Sequence, residues 1–218
     1  MEIEKGYLLI VEDDPDILNL LQTTLSLSGY RVKTARDGNE ALEVVAQEHP
    51  KIVVADIMMP RLDGFGLVHR LRINPETRAI PVVFITATFV SAEDREFAHN
   101  LGATRFIQKP LDIDEFLETI EELLQLETPH VIHPLNENKF YKEYKRRLEE
   151  KLEQKKLQIA RDTQLLNTKS LGPRSEEENH FIRASLQKAI RDKEELIALL
   201  DQVQEQLQKN TRKEQPRQ

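Results

Sequence analysis

The sequence of 218 residues predicts an α/β fold, a doubly wound parallel sheet of five βα units, followed by an all-α antiparallel helical hairpin. Three observations carry that reading. Five short apolar runs alternate with five helix-like segments up to residue 125. Several runs (LLIV, IVVA, VVFI) are continuous rather than alternating, as in strands covered on both faces, and the helices between them make the connections crossovers and the sheet parallel. Composition then changes. Six of seven Gly and eight of twelve aromatics precede residue 128, whereas the remainder is rich in Lys, Glu, Gln, Leu and Arg, which suits long helices. Charge divides at the same place: residues 1–127 hold 12 Lys+Arg against 23 Asp+Glu, net −11, and residues 128–218 hold 19 against 15, net +4.

The expected strands are Tyr7–Val11, Arg31–Ala35, Ile52–Asp56, Pro81–Ala87 and Thr104–Lys109. The expected helices between and after them are Pro15–Ser28, Asn39–Glu48, Gly64–Ile73, Ser91–Asn100 and Asp112–Gln125. Gly29 and Gly102 stand where a helix C-terminus wants a left-handed residue. Residues 1–127 are thus one domain. Pro129, Pro134 and two Asn interrupt the pattern, so residues 128–137 read as a linker.

Residues 138–218 are expected to form the hairpin. Two segments of about 33 residues, each about 50 Å long at 1.5 Å per residue, flank Leu171-Gly172-Pro173-Arg174-Ser175. Gly then Pro ends the first arm, and Ser175 with Glu178 forms a capping box for the second. The second arm keeps a heptad seam of Ile182, Leu186, Ala189, Lys193, Leu196, Leu200, Val203 and Leu207. The first is looser: Tyr141, Tyr144, Leu148, Leu152, Lys155, Ile159, Asp162 and Leu166. Phe181, Ile190, Ile197 and Leu199 widen the stripe beyond a two-helix seam, which leaves surface for a second copy or another helical protein.

Absences narrow the function. Without Cys there are no disulfides, thiolate zinc sites or cysteine nucleophiles. No run approaches the roughly 18 apolar residues that cross a bilayer, and the acidic start Met1-Glu2-Ile3-Glu4 lacks the basic and apolar regions of a secretory signal. A soluble cytoplasmic protein with no membrane contact is the expectation.

In an open parallel sheet the functional crevice lies beyond the carboxyl ends of the strands. Here those ends lead into Glu12-Asp13-Asp14, Asp56, Thr86-Ala87 and Lys109-Pro110. Carboxylates gathered in one place repel, and burial raises their pKa values further. A hard divalent cation removes the conflict; Mg²⁺ accepts one or two carboxylates and keeps waters that a phosphate can displace, and Mn²⁺ is an acceptable substitute. Lys109 adds a mobile positive charge for a phosphoryl oxygen, Thr86 a hydroxyl donor. An Asp beside such a clamp is suited to forming an aspartyl phosphate.

The strings LLIVEDDPDIL, VVADIMMPRLDGFGL, VFITAT and RFIQKP, spread over about residues 5–126, resemble the receiver domain of two-component response regulators. That family has a flavodoxin-like (βα)5 fold with strand order 2-1-3-4-5. The resemblance implies that Asp56 is the phosphoacceptor, with a sensor histidine kinase or phosphotransfer protein as donor. It implies Mg²⁺ held by Asp13, Asp56 and the Met58 backbone carbonyl, with Glu12 acting through a bound water. Thr86 and Lys109 would hold the phosphoryl group, and Phe106 would be the aromatic whose rotamer follows Thr86. The Lys109–Pro110 bond is often cis in the family. Glu12 stands where Asp is commoner, and Phe106 where Tyr is frequent, so a hydrogen bond from that hydroxyl is absent. Met58 and Thr88, two positions beyond Asp56 and Thr86, are expected to face the route of attacking water. Chemistry of its own is limited to Mg²⁺-dependent self-phosphorylation and self-dephosphorylation.

The remaining signals have simpler readings. Asp14 caps the helix begun at Pro15, and Asp63-Gly64 is a turn and helix start. His130-x-x-His133 lacks a third ligand, and His180 lies on a charged helix without the flanks of a transfer histidine. The basic stretch Lys139–Lys156 is interleaved with Glu143, Glu149, Glu150 and Glu153 at self-pairing spacings, so nucleic acid is not an expected partner. A phosphorylation-dependent regulator signalling through protein contact or dimerisation of the hairpin is the expectation. The alternatives are a DNA-binding transcriptional regulator using helix 139–156, and the front of a longer protein with an enzymatic output domain.

Overall fold

The structure, a computed structural model, describes residues 6–87, 91–125, 136–167 and 175–214. It divides into two compact units, Met1–Asn136 and Glu137–Gln218.

In the first unit the chain runs β1 (Leu8–Val11), α1 (Pro15–Leu27), β2 (Val32–Ala35), α2 (Gly38–Gln47), β3 (Ile52–Ala55), α3 (Gly64–Ile73), β4 (Val82–Thr86), α4 (Ala92–Leu101), β5 (Arg105–Gln108) and α5 (Ile113–Gln125). The five strands are parallel in the order β2-β1-β3-β4-β5, a flavodoxin-like sheet with the expected sequence of elements. Every residue of β1, β3 and β4 is buried, which is why their sequences lack polar alternation. Leu8, Ile10, Val54, Val83 and Ile85 point to one face and pack with Leu18, Leu21 and Leu25 of α1 and Phe116, Ile120 and Leu123 of α5. On the other face Phe84 meets the edge of Phe65 from α3 at 5.4 Å, and Phe65 meets Phe97 from α4 at 5.1 Å.

Strand ends fall one residue inside the apolar runs at most places, because Tyr7, Asp56, Ala87 and Lys109 extend the pattern past the last ladder pair. The caps set the helix boundaries. Asp14 accepts from the N–H groups of Asp16 (2.9 Å) and Ile17 (3.3 Å), so it is an N-cap as expected. Ser91 and Asp94 form a capping box on α4, and Gly29 (φ 90°) and Gly102 (φ 108°) take the left-handed positions.

The second unit consists of α6 (Glu137–Asn167) and α7 (Glu176–Glu214), packed against each other. Lys155 pairs with Asp192 at 2.6 Å, and seven residues along α6 Asp162 accepts from Ser185 at 2.9 Å, seven residues back along α7. Partners that ascend one helix while descending the other make the pair antiparallel. The arms are not equal: 31 residues against 39, or about 46 and 58 Å. Nothing in the second arm stops the helix at residue 208, since no Gly or Pro intervenes before Pro216. Ser175 and Glu178 form the expected box, with N···O distances of 3.0 and 3.1 Å. Ala189, Leu196, Leu199, Leu200 and Val203 are buried, whereas Phe181, Ile190, Ile197 and Leu157 are exposed. The linker at 128–135, the turn Leu171–Arg174, His130, His133 and Thr88 lie outside the described residues. No helix among the described residues is long and apolar enough to cross a membrane.

Candidate functional site

The strand order places β1 beside β3, and the last residues of each, Val11 and Ala55, are in register. Glu12 and Asp13 therefore leave the sheet next to Asp56, whose N–H donates to the Val11 carbonyl at 2.9 Å. Ligand oxygens of Glu12, Asp13 and Asp56 all lie within 4.8 Å of one another. Lys109, delivered by β5 from the far side of β4, is tied to that edge through its N–H to the Thr86 carbonyl at 2.9 Å. Its Nζ donates to Glu12 Oε2 at 2.8 Å and to Asp56 Oδ2 at 2.7 Å. The other Asp56 oxygen, Oδ1, accepts from the N–H groups of Ile57 (2.5 Å) and Met58 (3.3 Å), which sets the orientation of the carboxylate. The peptide Lys109–Pro110 is cis.

Three carboxylates share one ammonium, and the electrostatics register the shortfall. Burial, and then the charge of Asp56, push the Glu12 carboxyl up to about 7 against the pull of Lys109. Asp13 is raised by burial and then by Asp56. Burial alone would lower the Lys109 ammonium, but Asp56 and Glu12 outweigh it and hold it above its ordinary value. A cluster of hard oxygen donors with excess negative charge fits a hard divalent cation.

The site residues expected from the sequence are not all gathered equally. Glu12, Asp13, Asp56 and Lys109 come together directly, and Met58 joins through its N–H. Thr86 ends β4 at the same edge and is fully buried. Phe106 lies inside β5, opposite Phe84, half-buried, with the Arg95 guanidinium 5.1 Å above its ring. Gly64 has more than the turn role first given to it. A Cβ there would sit 2.3 Å from the Asp56 carbonyl oxygen and 2.9 Å from the Ile57 Cα, so only glycine lets α3 start this close to Asp56. The signal was the Asp-Gly pair itself, readable as a turn but silent about what it would abut.

Comparison with known proteins agrees with this geometry. Residues 8–121 match the family described as response regulator receiver domain. The protein named "Probable transcriptional regulator ycf27" of Cyanophora paradoxa is 42% identical over 125 residues, covering 57% of this chain and 51% of that one. The "DNA-binding dual master transcriptional regulator RpaA" of Synechocystis is 35% identical over 118 residues, 54% of this chain and 48% of that one. The chain thus spans about half the length of these curated relatives. Among solved structures, the non-phosphorylated HemR receiver domain of Leptospira biflexa is 32% identical, with a TM-score of 0.52 over 58% of this chain and 99% of that one. With its acidic edge, its strand order and a match over more than half its length, the chain belongs to the response regulator receiver domain family.

Proposed function

We propose that the protein is a phosphorylation-dependent response regulator in which Asp56 takes a phosphoryl group from a sensor histidine kinase or phosphotransfer protein. Residues 1–127 are the receiver, 128–137 the linker and 138–218 the output hairpin. The observation that carries the reading is the position of the Lys109 Nζ between Glu12 and Asp56, 2.8 and 2.7 Å away, beside the Asp13 carboxylate. Asp13, Asp56 and the Met58 carbonyl would hold Mg²⁺ or Mn²⁺, with Glu12 acting through a water. The bound cation supplies the charge that neutralises the cluster and an anchor for phosphoryl oxygens.

Asp56 Oδ1 is held by two backbone donors and Oδ2 by the Lys109 side chain, which can move off with the phosphoryl group, so Oδ2 is the nucleophile. It bonds to phosphorus as the P–N bond to the donor imidazole breaks, and the bonding pair stays on that nitrogen. Lys109 exchanges its contact with Oδ2 for one with a phosphoryl oxygen. Thr86 donates to another oxygen, Phe106 follows into the space it leaves, and the population of active conformers rises. Water ends the signal by attacking phosphorus as the P–O bond to Asp56 Oδ2 breaks, which releases inorganic phosphate and restores the carboxylate; Met58 would stand beside its approach.

The test is exposure of the full chain to acetyl phosphate with Mg²⁺, followed by intact-mass measurement and light scattering. One added phosphoryl group, absent in Asp56→Ala, and a changed oligomeric state are expected. An Asp56→Ala chain that still takes up the group would overturn the assignment.

Nucleic acid is the second reading, and the names of the relatives favour it against the expectation from composition. Those alignments cover 118 to 125 residues, which leaves the hairpin unmatched. On α6, Lys139, Lys145 and Arg146 pair with Glu143, Glu149 and Glu150 at 3.9, 3.4 and 2.6 Å, so much of its positive charge is already used. Duplex affinity falling steeply with salt would establish this reading, and no binding at low salt would remove it.

A further inference from the structure

Between Asp56 and the start of α3 the chain reads Ile57-Met58-Met59-Pro60-Arg61-Leu62-Asp63. The Leu62 N–H donates to the Pro60 carbonyl at 2.8 Å, closing a three-residue turn around Arg61, whose φ is 65°. Among the described residues Arg61 is the one non-glycine with positive φ. An arginine gains nothing local from that region, because its polar atoms are too far from its own backbone to bond there as Asn or Asp can. Something outside the turn must hold it.

The first turn of α2 does so in two ways. The Arg61 guanidinium donates from Nε to Asp37 Oδ2 and forms an ion pair with it; the Asp37 side chain is 2% exposed and that of Arg61 62%. Asp37 is itself fixed, since Oδ1 caps α2 through the N–H groups of Asn39 (2.6 Å) and Glu40 (3.0 Å). Beside it the Gly38 N–H donates to the Leu62 carbonyl at 2.8 Å, and a Cβ on Gly38 would lie 2.7 Å from that oxygen. The loop is also closed at its base, where the Gly64 N–H donates to the Ile57 carbonyl at 2.9 Å. The segment Ile57–Pro60 is therefore strung between the Asp56 carboxylate, which receives the Ile57 and Met58 N–H groups, and the clasp on α2.

We infer that Arg61, through its ion pair with Asp37, is a positioning residue for the cation and phosphoryl site. Among the described residues its side-chain hydrogen bond and ion pair go to Asp37, not to the cation ligands. It holds the loop whose Ile57 and Met58 N–H groups orient the Asp56 carboxylate and whose Met58 carbonyl would serve the cation, so that neither has to be ordered when the cation binds. The inference rests on the reading of Asp56 as a Mg²⁺-dependent phosphoacceptor.

The test measures Mg²⁺ affinity of the full chain by calorimetry and Asp56 labelling by acetyl phosphate, well below the unfolding midpoint. Wild type is compared with Arg61→Ala, Arg61→Gly, Arg61→Lys and Asp37→Asn. Asn remains a good N-cap, so Asp37→Asn removes the charge while keeping α2 started. Arg61→Ala and Asp37→Asn should weaken Mg²⁺ about tenfold, the low end for residues that act behind metal ligands, and slow labelling in step. Arg61→Lys, which keeps the charge, should recover part of the loss. Arg61→Gly relieves the φ of 65° without restoring the pair, and should bind as poorly as the Ala variant. Wild-type affinity in folded Asp37→Asn, or recovery in Arg61→Gly, overturns the inference. A wild-type chain that binds no Mg²⁺ or is labelled elsewhere overturns the underlying assignment instead, so the two failures are distinguishable.

Discussion

Removing the negative charge of Asp56 should make the cation-free protein more stable, though it deletes an ion pair at the centre of the site. Glu12 is 2% exposed, and its carboxyl is raised from 4.5 to about 7, first by burial and then by Asp56. Taken whole, that shift corresponds to roughly 3 kcal/mol at about 1.4 kcal/mol per unit. Asp56 is the second cause of that shift, after burial, and it also raises Asp13, so removing its charge relieves part of both. Against this stands the lost contact between Lys109 and Asp56, but Lys109 keeps Glu12 at 2.8 Å and is not left as a lone buried charge. Asp56→Asn can also keep an Oδ1 acceptor for the Ile57 and Met58 N–H groups. We therefore expect a net gain of about 1–2 kcal/mol in chelator above pH 7, or roughly 3–6 °C in the thermal midpoint. Because the folded pKa of Glu12 is raised, the native state keeps a proton between pH 4.5 and 7 that the unfolded chain has released, and stability falls as pH rises through that window. Lowering that pKa flattens the slope, so the gain should shrink toward pH 4.5. Adding Mg²⁺ should reverse the order, with wild type rising and the Asn variant rising less. Thermal unfolding followed by circular dichroism, at two pH values with and without cation, measures all of this. An Asn variant less stable than wild type in chelator above pH 7, or a gain independent of pH, refutes the reasoning.

Asp63 caps α3 through the Gly66 N–H at 2.8 Å, while its Oδ2 is buried without a hydrogen-bond partner among the described residues, and burial pushes the carboxyl up to about 7. Asp63→Asn should thus stabilise by about 2 kcal/mol above pH 7 and little near pH 4, read from denaturant midpoints; an equal effect at both pH values would count against it. His69, buried on α3 and lowered to about 4 by desolvation and then Arg70, has the opposite sign. Its contribution is complete above pH 6.5 and lost as pH falls to 4, so in Asp63→Asn a limb rising between pH 4 and 6.5 should become visible by the same assay. Gly64→Ala places a methyl 2.3 Å from the Asp56 carbonyl oxygen, and should cost about 2–3 kcal/mol in urea unfolding and slow acetyl phosphate labelling of Asp56. In the hairpin, Asp192→Ala should destabilise by about 1–2 kcal/mol in thermal melts, because Lys155 is left 22% exposed without its partner; Lys155→Leu with Asp192→Leu should recover most of the loss.

Strands buried on both faces are the easiest to read from one sequence, and β1, β3 and β4 lie where their apolar runs lie. The acidic edge was equally legible, because three carboxylate positions and a lysine at strand ends can meet in only one place in a doubly wound sheet. Phe106 and Thr86 were legible as positions, through the resemblance, but no composition or period says what an aromatic in β5 will face; the Arg95 guanidinium over its ring is a tertiary fact. Arg61 was invisible for a related reason. Pro60 signals a turn, but nothing in the neighbouring residues says that the next residue has positive φ or that its partner is Asp37, 24 positions earlier. Close backbone approaches behave likewise: Gly64 reads as a helix-start residue, and Gly38 stands just outside the helix expected from Asn39, until the atoms they abut are known. The unequal arms of the hairpin were misjudged because the second helix has no stop signal, and matched lengths were read from the turn alone.

The polar residues within the apolar seam of the hairpin have a physical purpose once the pairing is seen. Lys155 and Asp162 occupy seam positions of α6, where leucine would add more burial. In the observed register Lys155 meets Asp192 at 2.6 Å, and Asp162 accepts from the Ser185 hydroxyl at 2.9 Å. A slip of one heptad in either direction preserves most apolar contacts, since leucines recur every seven residues, so hydrophobic burial alone discriminates weakly among registers. The polar pairs discriminate strongly. Sliding α7 by seven residues one way sets Asp162 against Asp192 and Lys155 against Leu199; sliding it the other way sets Asp162 against Glu178. Either slip faces the buried Asp162, 3% exposed, with a second carboxylate and separates Lys155 from Asp192. These residues thus give up some burial to make one alignment of two long helices much better than its neighbours.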